Sequence, residues 1–349
     1  MLQQITIGLR RWTVVAFVVV AGLAVAGCGG DDDAGNTASE PAATQEAEAL
    51  DIAYLSASTA NTWLASSKKA MDEVAAKENV TITEFDGQFK PEEQTKQLQD
   101  AIASQKYDGI VITSISGEGI IPDLKDAIDQ GIEVAVLNQV VGPKLDTPDP
   151  QVDGLAVSVL APPLRSGERL GKLTLKACEG VDPCRVAYLY GIKGIPLDTA
   201  LRQGFDSVVK ENPAIKVVAE GEGKYLGPDE GAKATQTILA ATPDFEVLIG
   251  SDQSVQGAQQ ALEDAGKLDK VKLIGLGGSK AAIEAIGAGK WFGGVFGAPF
   301  DEGKIAIEAL IGAIREGKKT GGVDPLTRLP DEGLVTQDNV GKFEPQWAG

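Results

Sequence analysis

The sequence predicts an α/β protein of two similar lobes, each an open, parallel sheet with helices on both faces. Three observations carry that expectation. Short apolar runs alternate with helix-patterned stretches of about ten to fifteen residues, the spacing of βαβ units. Runs such as Gly109-Ile110-Val111-Ile112 are continuously apolar, as strands buried on both faces must be. The rhythm breaks over residues 139–159, where Pro143, Pro148 and Pro150 stand among Gly and Asp, and then a second series begins.

Order is expected from Leu50. Asp51-Ile52-Ala53-Tyr54-Leu55 reads as a strand, and after a polar turn residues 62–77 have helical spacing. The unit recurs as strand 80–85, helix 91–104, strand 109–113, helix 120–130 with Gly131 as its stop, and strand 134–137. Residues 139–159 read as a crossing between lobes. The second series runs through helix 166–178, strand 186–190, helix 199–210, strand 217–218, helix 229–240, strand 247–249, helix 255–265, strand 271–276 and strand 293–296. Helix 302–316 follows, then a Gly-, Pro- and Asp-rich tail that includes Leu334-Val335. Two such sheets in succession place a ligand at the carboxyl ends of the strands, between the lobes.

Before Leu50 the chain is of a different kind. Arg10-Arg11 precedes an apolar run over residues 12–27 that is short for a bilayer span and ends Val25-Ala26-Gly27-Cys28. This end resembles the lipobox of bacterial lipoproteins, which implies cleavage before Cys28 and lipid attachment to it. The alternative is an ordinary export signal or an uncleaved anchor, with Cys28 incidental. Residues 29–48 hold no aromatic or branched aliphatic side chain, so they read as a tether with no core to bury.

Composition removes several function classes. With 32 basic and 50 acidic residues the net charge is −18, which opposes binding to phosphate backbones, so no nucleic-acid partner is expected. The chain has no histidine, which takes away the usual general base and the commonest zinc ligand. No G-x-G-x-x-G turn follows Leu55, where the chain reads Ser56-Ala57-Ser58-Thr59-Ala60. Enzyme activity, a cofactor and a metal are therefore not expected. Cys178 and Cys184 flank a short segment and, in an oxidising compartment, read as a small-loop disulfide; free thiols or a metal pair are the alternative, without a third Cys or His to complete a shell.

From Leu50 onward the residues resemble the type I periplasmic solute-binding proteins, in the branch of the ribose and galactose binders of bacterial ABC importers. The landmarks are Asn61-Thr62-Trp63-Leu64, Tyr107-Asp108-Gly109-Ile110-Val111-Ile112, Gly131-Ile132-Glu133-Val134-Ala135-Val136-Leu137, Arg202-Gln203-Gly204-Phe205, Gly250-Ser251-Asp252 with Gly257-Ala258, and Leu273-Ile274-Gly275-Leu276. The resemblance implies two Rossmann-like lobes joined by a multi-crossing hinge. On that reading residues 1–27 are the leader and 28–49 the tether. Residues 50–156 with about 299–326 form the first lobe, and 157–298 with about 327–349 the second.

The resemblance also implies a ligand set. Asn61 and Trp63 match the asparagine and aromatic residue of the first loop, where an indole face stacks on sugar C–H bonds; helix-to-sheet packing is the alternative for Trp63. Where the ribose branch has an aspartate and an arginine, this chain has Asn138 and Gln139. Thr199 stands for an arginine, Gly277 for an aspartate and Ser251 for an asparagine, with Asp252 kept. Ser114, Tyr190 and Phe296 complete the expected set, core packing being the alternative for the last two. Losing charged positions that contribute about 1.5 to 3 kcal/mol each points to a small neutral ligand, a sugar or hydroxylated metabolite. The expected protein is a lipid-anchored extracytoplasmic monomer that passes this ligand to an ABC permease. The alternative is a ligand-sensing receptor component for a membrane signalling protein.

Overall fold

The computed structural model describes residues 48–349; the leader, Cys28 and the tether up to residue 47 lie outside the described residues. The first series is β1 (Leu50–Ser56), α1 (Thr62–Glu78), β2 (Val80–Asp86), α2 (Pro91–Ser104), β3 (Gly109–Ile112), α3 (Ile121–Asp129), β4 (Glu133–Leu137) and β5 (Val157–Val159). The second is α4 (Pro163–Ala177), β6 (Cys184–Tyr190), α5 (Pro196–Val209), β7 (Ile215–Glu222), α6 (Pro228–Ala241), β8 (Val247–Ser251), α7 (Asp252–Asp264), β9 (Lys272–Gly277), α8 (Lys280–Gly287) and β10 (Gly293–Phe296). Then come α9 (Pro299–Glu316), β11 (Gly321–Val323) and β12 (Leu334–Thr336).

Two six-stranded sheets result, ordered β11-β5-β4-β3-β1-β2 and β12-β10-β9-β8-β6-β7. The first is parallel throughout, and in the second β12 alone runs antiparallel, against β10. The chain therefore crosses between sheets after β5, after β10 and after β11. The crossover after β5 is a correction of detail: Val157–Val159 pairs with β4 and β11 in the first sheet, although residue 157 was expected to open the second lobe.

Strand alternation divides each sheet between two cores. In β1, Ile52 and Tyr54 pack with Met71 of α1 and Leu310 of α9, whereas Ala53 and Leu55 pack with Leu98 of α2 and Leu124 of α3. In β8, Val247 and Ile249 meet Leu173 of α4 and Phe205 of α5, and Leu248 meets Leu262 of α7 and Ile286 of α8. Gly204 has a steric role: a side chain there, or at Gly167, would run into the backbone of the facing helix, so α4 and α5 cross in close contact. Cys178, just past α4, is disulfide-bonded to Cys184 at the start of β6, with Cα atoms 5.7 Å apart. Among the described residues no helix is long and apolar enough to cross a membrane.

Several helices start earlier than the periodicity predicts. Pro163, Pro196 and Pro299 are the first residues of α4, α5 and α9, where a missing N–H costs nothing. β5, α8 and β11 have no counterpart among the predicted elements. β5 and β11 are three-residue strands next to Pro- and Gly-rich chain, too short to set a pattern. β7 is longer than expected because it is the outer strand of its sheet, with alternate residues in solvent.

Candidate functional site

The carboxyl ends of both sheets face one cavity of about 120 Å³, a size class that takes a single ring. Loops after β1, β2 and β4 bring Asn61, Phe89, Asn138 and Gln139 to it; the first turn of α1 brings Trp63 and α9 brings Glu302. From the second lobe come Leu197 and Leu201 of α5, Tyr225 after β7, Ser251 and Gln253 at the start of α7, Leu276 at the end of β9, and Phe296. Trp347, in the tail beyond β12, closes the wall.

Asn61 caps α1, its Oδ1 accepting from the Leu64 N–H at 3.0 Å, while its Nδ2 donates to the Tyr225 carbonyl of the other lobe at 2.9 Å. Gln253 Nε2 donates to Thr62 Oγ1 at 2.8 Å, a second bond between the lobes. The tail makes more: Ser66 Oγ donates to the Gln346 carbonyl at 2.7 Å on one side, and Lys280 N–H donates to the Trp347 carbonyl at 2.9 Å on the other. Trp347 donates its indole N–H to the Gly277 carbonyl at 2.9 Å and packs edge-on against Trp63, ring centroids 5.4 Å apart. The lobes are thus closed on each other around the cavity.

Glu302 is the centre of the polar wall. Its carboxylate is 1 % exposed, and Oε2 accepts from Trp63 Nε1 at 3.3 Å and from Asn138 Nδ2 at 3.0 Å. Burial pushes its pKa up to about 8, against the pull of those two donors. Asn138 sits at φ +65°, a left-handed turn that asparagine tolerates, directly after β4. Opposite, the Tyr225 hydroxyl donates to Asp198, at 3.1 Å to Oδ2, and the Gly191 and Ile192 N–H groups donate to the same carboxylate. Burial raises Asp198 to about 6 and Tyr225 well above its ordinary value. Lys224 and Tyr225 are both in left-handed conformation, and the Phe89 ring lies 6.3 Å from the Tyr225 ring across the cleft, centroid to centroid.

Of the residues expected at the site, Asn61, Trp63, Asn138, Gln139, Ser251 and Phe296 line the cavity. Four do not. Ser114 is buried, its Oγ accepting from the Gly117 N–H at 3.0 Å. Tyr190 lies on the α4/α5 face of its sheet, where its hydroxyl accepts from Arg202 at 2.7 Å; strand alternation points it away. Thr199 is exposed and bonds back to the Ile195 carbonyl, because Leu197 and Leu201, four residues apart, occupy the inner face of α5. Asp252 is buried beneath the wall, accepting from the Ser279 N–H at 2.7 Å, with its pKa pushed up to about 7 by burial.

Glu302, Tyr225, Phe89, Gln253 and Trp347 were not foreseen, and the carboxyl group that reaches the cavity is that of Glu302 and not that of Asp252. The sequence signal of Glu302 is that of any acid in the first turn of a helix, a solvent-facing pattern as a rule. The scarcity of tryptophan, four in the chain, was the one usable hint for Trp347.

Comparison with known proteins agrees with this architecture. The galactofuranose-binding protein YtfQ of Escherichia coli is 27 % identical over 221 residues, 62 % of this chain and 67 % of that protein. A xylitol-binding protein of Mycolicibacterium smegmatis is 22 % identical over 330 residues, covering 93 % and 85 %. Among solved structures, an ABC transporter solute-binding protein of Bacillus halodurans with bound myo-inositol superposes with a TM-score of 0.73 at 23 % identity, over 87 % of this chain and 100 % of that one. Residues 52–319 match the family described as periplasmic binding protein domain, and with two parallel-sheet lobes closed over one cavity the chain belongs to that family.

Proposed function

We propose that this chain is an extracytoplasmic solute-binding protein, held to the membrane through lipid on Cys28, that captures a small hydroxylated ligand, a sugar or polyol, for an ABC importer. The observation that carries the reading is the cavity between the lobes, sealed by bonds such as Asn61 to Tyr225 and Gln253 to Thr62 that exist only when the lobes are shut. A ligand that adds contacts to both lobes shifts a hinge equilibrium toward this closed form, which is the shape a permease reads. Trp63 and Phe296 offer ring faces to C–H bonds, and Asn138, Gln139 and Ser251 offer hydrogen bonds to hydroxyls. The names of the relatives, binders of galactofuranose and of xylitol, support that ligand class.

Asn61, which lines the cavity, also caps α1 and latches the lobes through its amide, a second task beside the ligand contact expected by resemblance. The experiment is a melting screen of residues 50–349 against sugars, polyols, nucleosides and amino acids, followed by calorimetry. A ligand at 100 times its dissociation constant adds about 2.7 kcal/mol of stability. Stabilisation by nucleosides or amino acids, with none by any sugar or polyol, would overturn the reading.

A further inference from the structure

The cavity holds a buried carboxyl group with no basic side chain beside it among the described residues. Glu302 is the one carboxylate among the residues lining it, and no lysine or arginine is among them. The strongest charge acting on Glu302 from a neighbour is that of Asp324, another acid. Its two hydrogen-bonding side chains, Trp63 and Asn138, are neutral. An ionised carboxylate without a counter-charge is disfavoured in such a place unless a cation arrives from outside.

The rest of the wall suits a cation. Trp63, Trp347, Phe89, Tyr225 and Phe296 bring five aromatic rings to one small space, and the electron-rich faces of such rings attract an ammonium group. Each also supplies apolar surface for the C–H bonds of a ring. The donors that would draw an anionic ligand are partly spent inside the protein: the indole N–H of Trp63 and one N–H of Asn138 already point at Glu302, and one N–H of Gln253 at Thr62. The chain as a whole carries a net charge of −18, which raises the local concentration of cations over anions.

We infer that Glu302 is a specificity-determining residue and that the cleft takes a compact polyol bearing one amino group, an amino sugar or amino polyol, whose ammonium pairs with the Glu302 carboxylate within the aromatic wall. The inference rests on the solute-binding reading above and names the ligand class of the same site. It separates three kinds of sugar that share one carbon skeleton: amine, neutral and acid.

The test uses matched sets, D-galactosamine, D-galactose and D-galacturonate, and D-glucosamine, D-glucose and D-glucuronate, titrated calorimetrically into the protein and into Glu302→Gln. Expected are dissociation constants at least tenfold lower for an amine than for its neutral partner, and no binding of the acids. In Glu302→Gln the amine should fall to the level of the neutral sugar, because glutamine keeps an acceptor for Trp63 and Asn138 but has no charge. A neutral sugar that binds as tightly as its amine, or an acid that binds at all, overturns the inference and leaves the solute-binding reading standing. An amine preference that survives in Glu302→Gln removes Glu302 as its cause. Failure of all six sugars overturns the inference, while the wider polyol screen decides the solute-binding reading separately. The ranking on the unaltered protein settles the ligand class even where the variant does not fold.

Discussion

Replacing Glu302 by glutamine should flatten the pH dependence of stability in the ligand-free protein. An ordinary glutamate ionises near 4.5, whereas burial pushes Glu302 up to about 8. Below about pH 4.5 both folded and unfolded chains hold the proton, and Glu302 contributes no pH dependence. Between about 4.5 and 8 the unfolded chain has released it and the folded chain has not, so the folded state binds more protons and loses stability as pH rises. Above about 8 both are ionised and the loss is complete. At about 1.4 kcal/mol for each pH unit of displacement, the ceiling is about 5 kcal/mol, and relaxation around a buried group brings the working figure to about 2 to 5. For a domain of this size that is a fall of several degrees in melting temperature, at about 2 °C per kcal/mol. Asp252 and Asp198, raised to about 7 and about 6, add slopes of the same sign and stay in the variant, so the quantity to follow is the difference between the two proteins. The assay is urea unfolding of both from pH 5 to pH 9 without ligand. Glu302→Gln should gain on the parent steadily up to pH 8 and then hold its lead. Parallel curves across that range would mean that Glu302 does not titrate there, and the case for an unbalanced carboxylate in the cleft would go with it.

Three further outcomes are expected. Trp63→Ala should weaken binding of whichever sugar or polyol the screen identifies by about 1 to 3 kcal/mol, and it should also lower the ligand-free melting temperature, since the ring packs on Trp347 and bonds Glu302; calorimetry beside melting separates the two, and unaltered affinity would take Trp63 out of the site. Cys28→Ser in the full chain should release the protein from the membrane fraction or leave it unprocessed, and a variant that fractionates and migrates like the parent would defeat the lipid anchor. Intact-mass analysis of residues 50–349 after denaturation and alkylation without reductant should find no alkyl group on Cys178 or Cys184, given their pairing; two added groups would contradict it.

The alternation of apolar runs with helical stretches made the two-lobed fold legible, because the period of a strand and that of a helix are written into residue spacing. It reached as far as the individual strands of both sheets and stopped at the short ones. Val157–Val159 is a strand because it pairs with β4 and β11, and Gly321–Val323, at the edge of the first sheet, because it pairs with Val157–Val159, 164 residues apart in register at Val157 and Gly321. The front of the cleft was legible for a related reason: Asn138 and Ser251 stand at the ends of predicted strands and Trp63 in the first turn of the helix after one, and the carboxyl end of a parallel strand is where such a sheet presents side chains. Tyr190 and Thr199 fulfil the same positional rule and fail for lack of orientation, since one strand residue or half a helical turn decides between cleft and core, or cleft and solvent.

By itself, then, the sequence determined the layers, the strand–helix order and the absence of histidine, all of which are local or compositional properties. Only the tertiary structure decided that Glu302 faces the cavity, that Trp347 of the tail packs on Trp63, and that Asn61 latches onto Tyr225. These pairs are separated by 239 residues for Trp63 and Glu302 and by 164 for Asn61 and Tyr225, so no spacing in the chain encodes them. Closure of one lobe on the other joins Asn61 to Tyr225, whereas Trp63 meets Glu302 because α1 and α9 pack side by side on the first sheet, and burial there keeps the Glu302 carboxyl protonated below about pH 8 until a cation answers it.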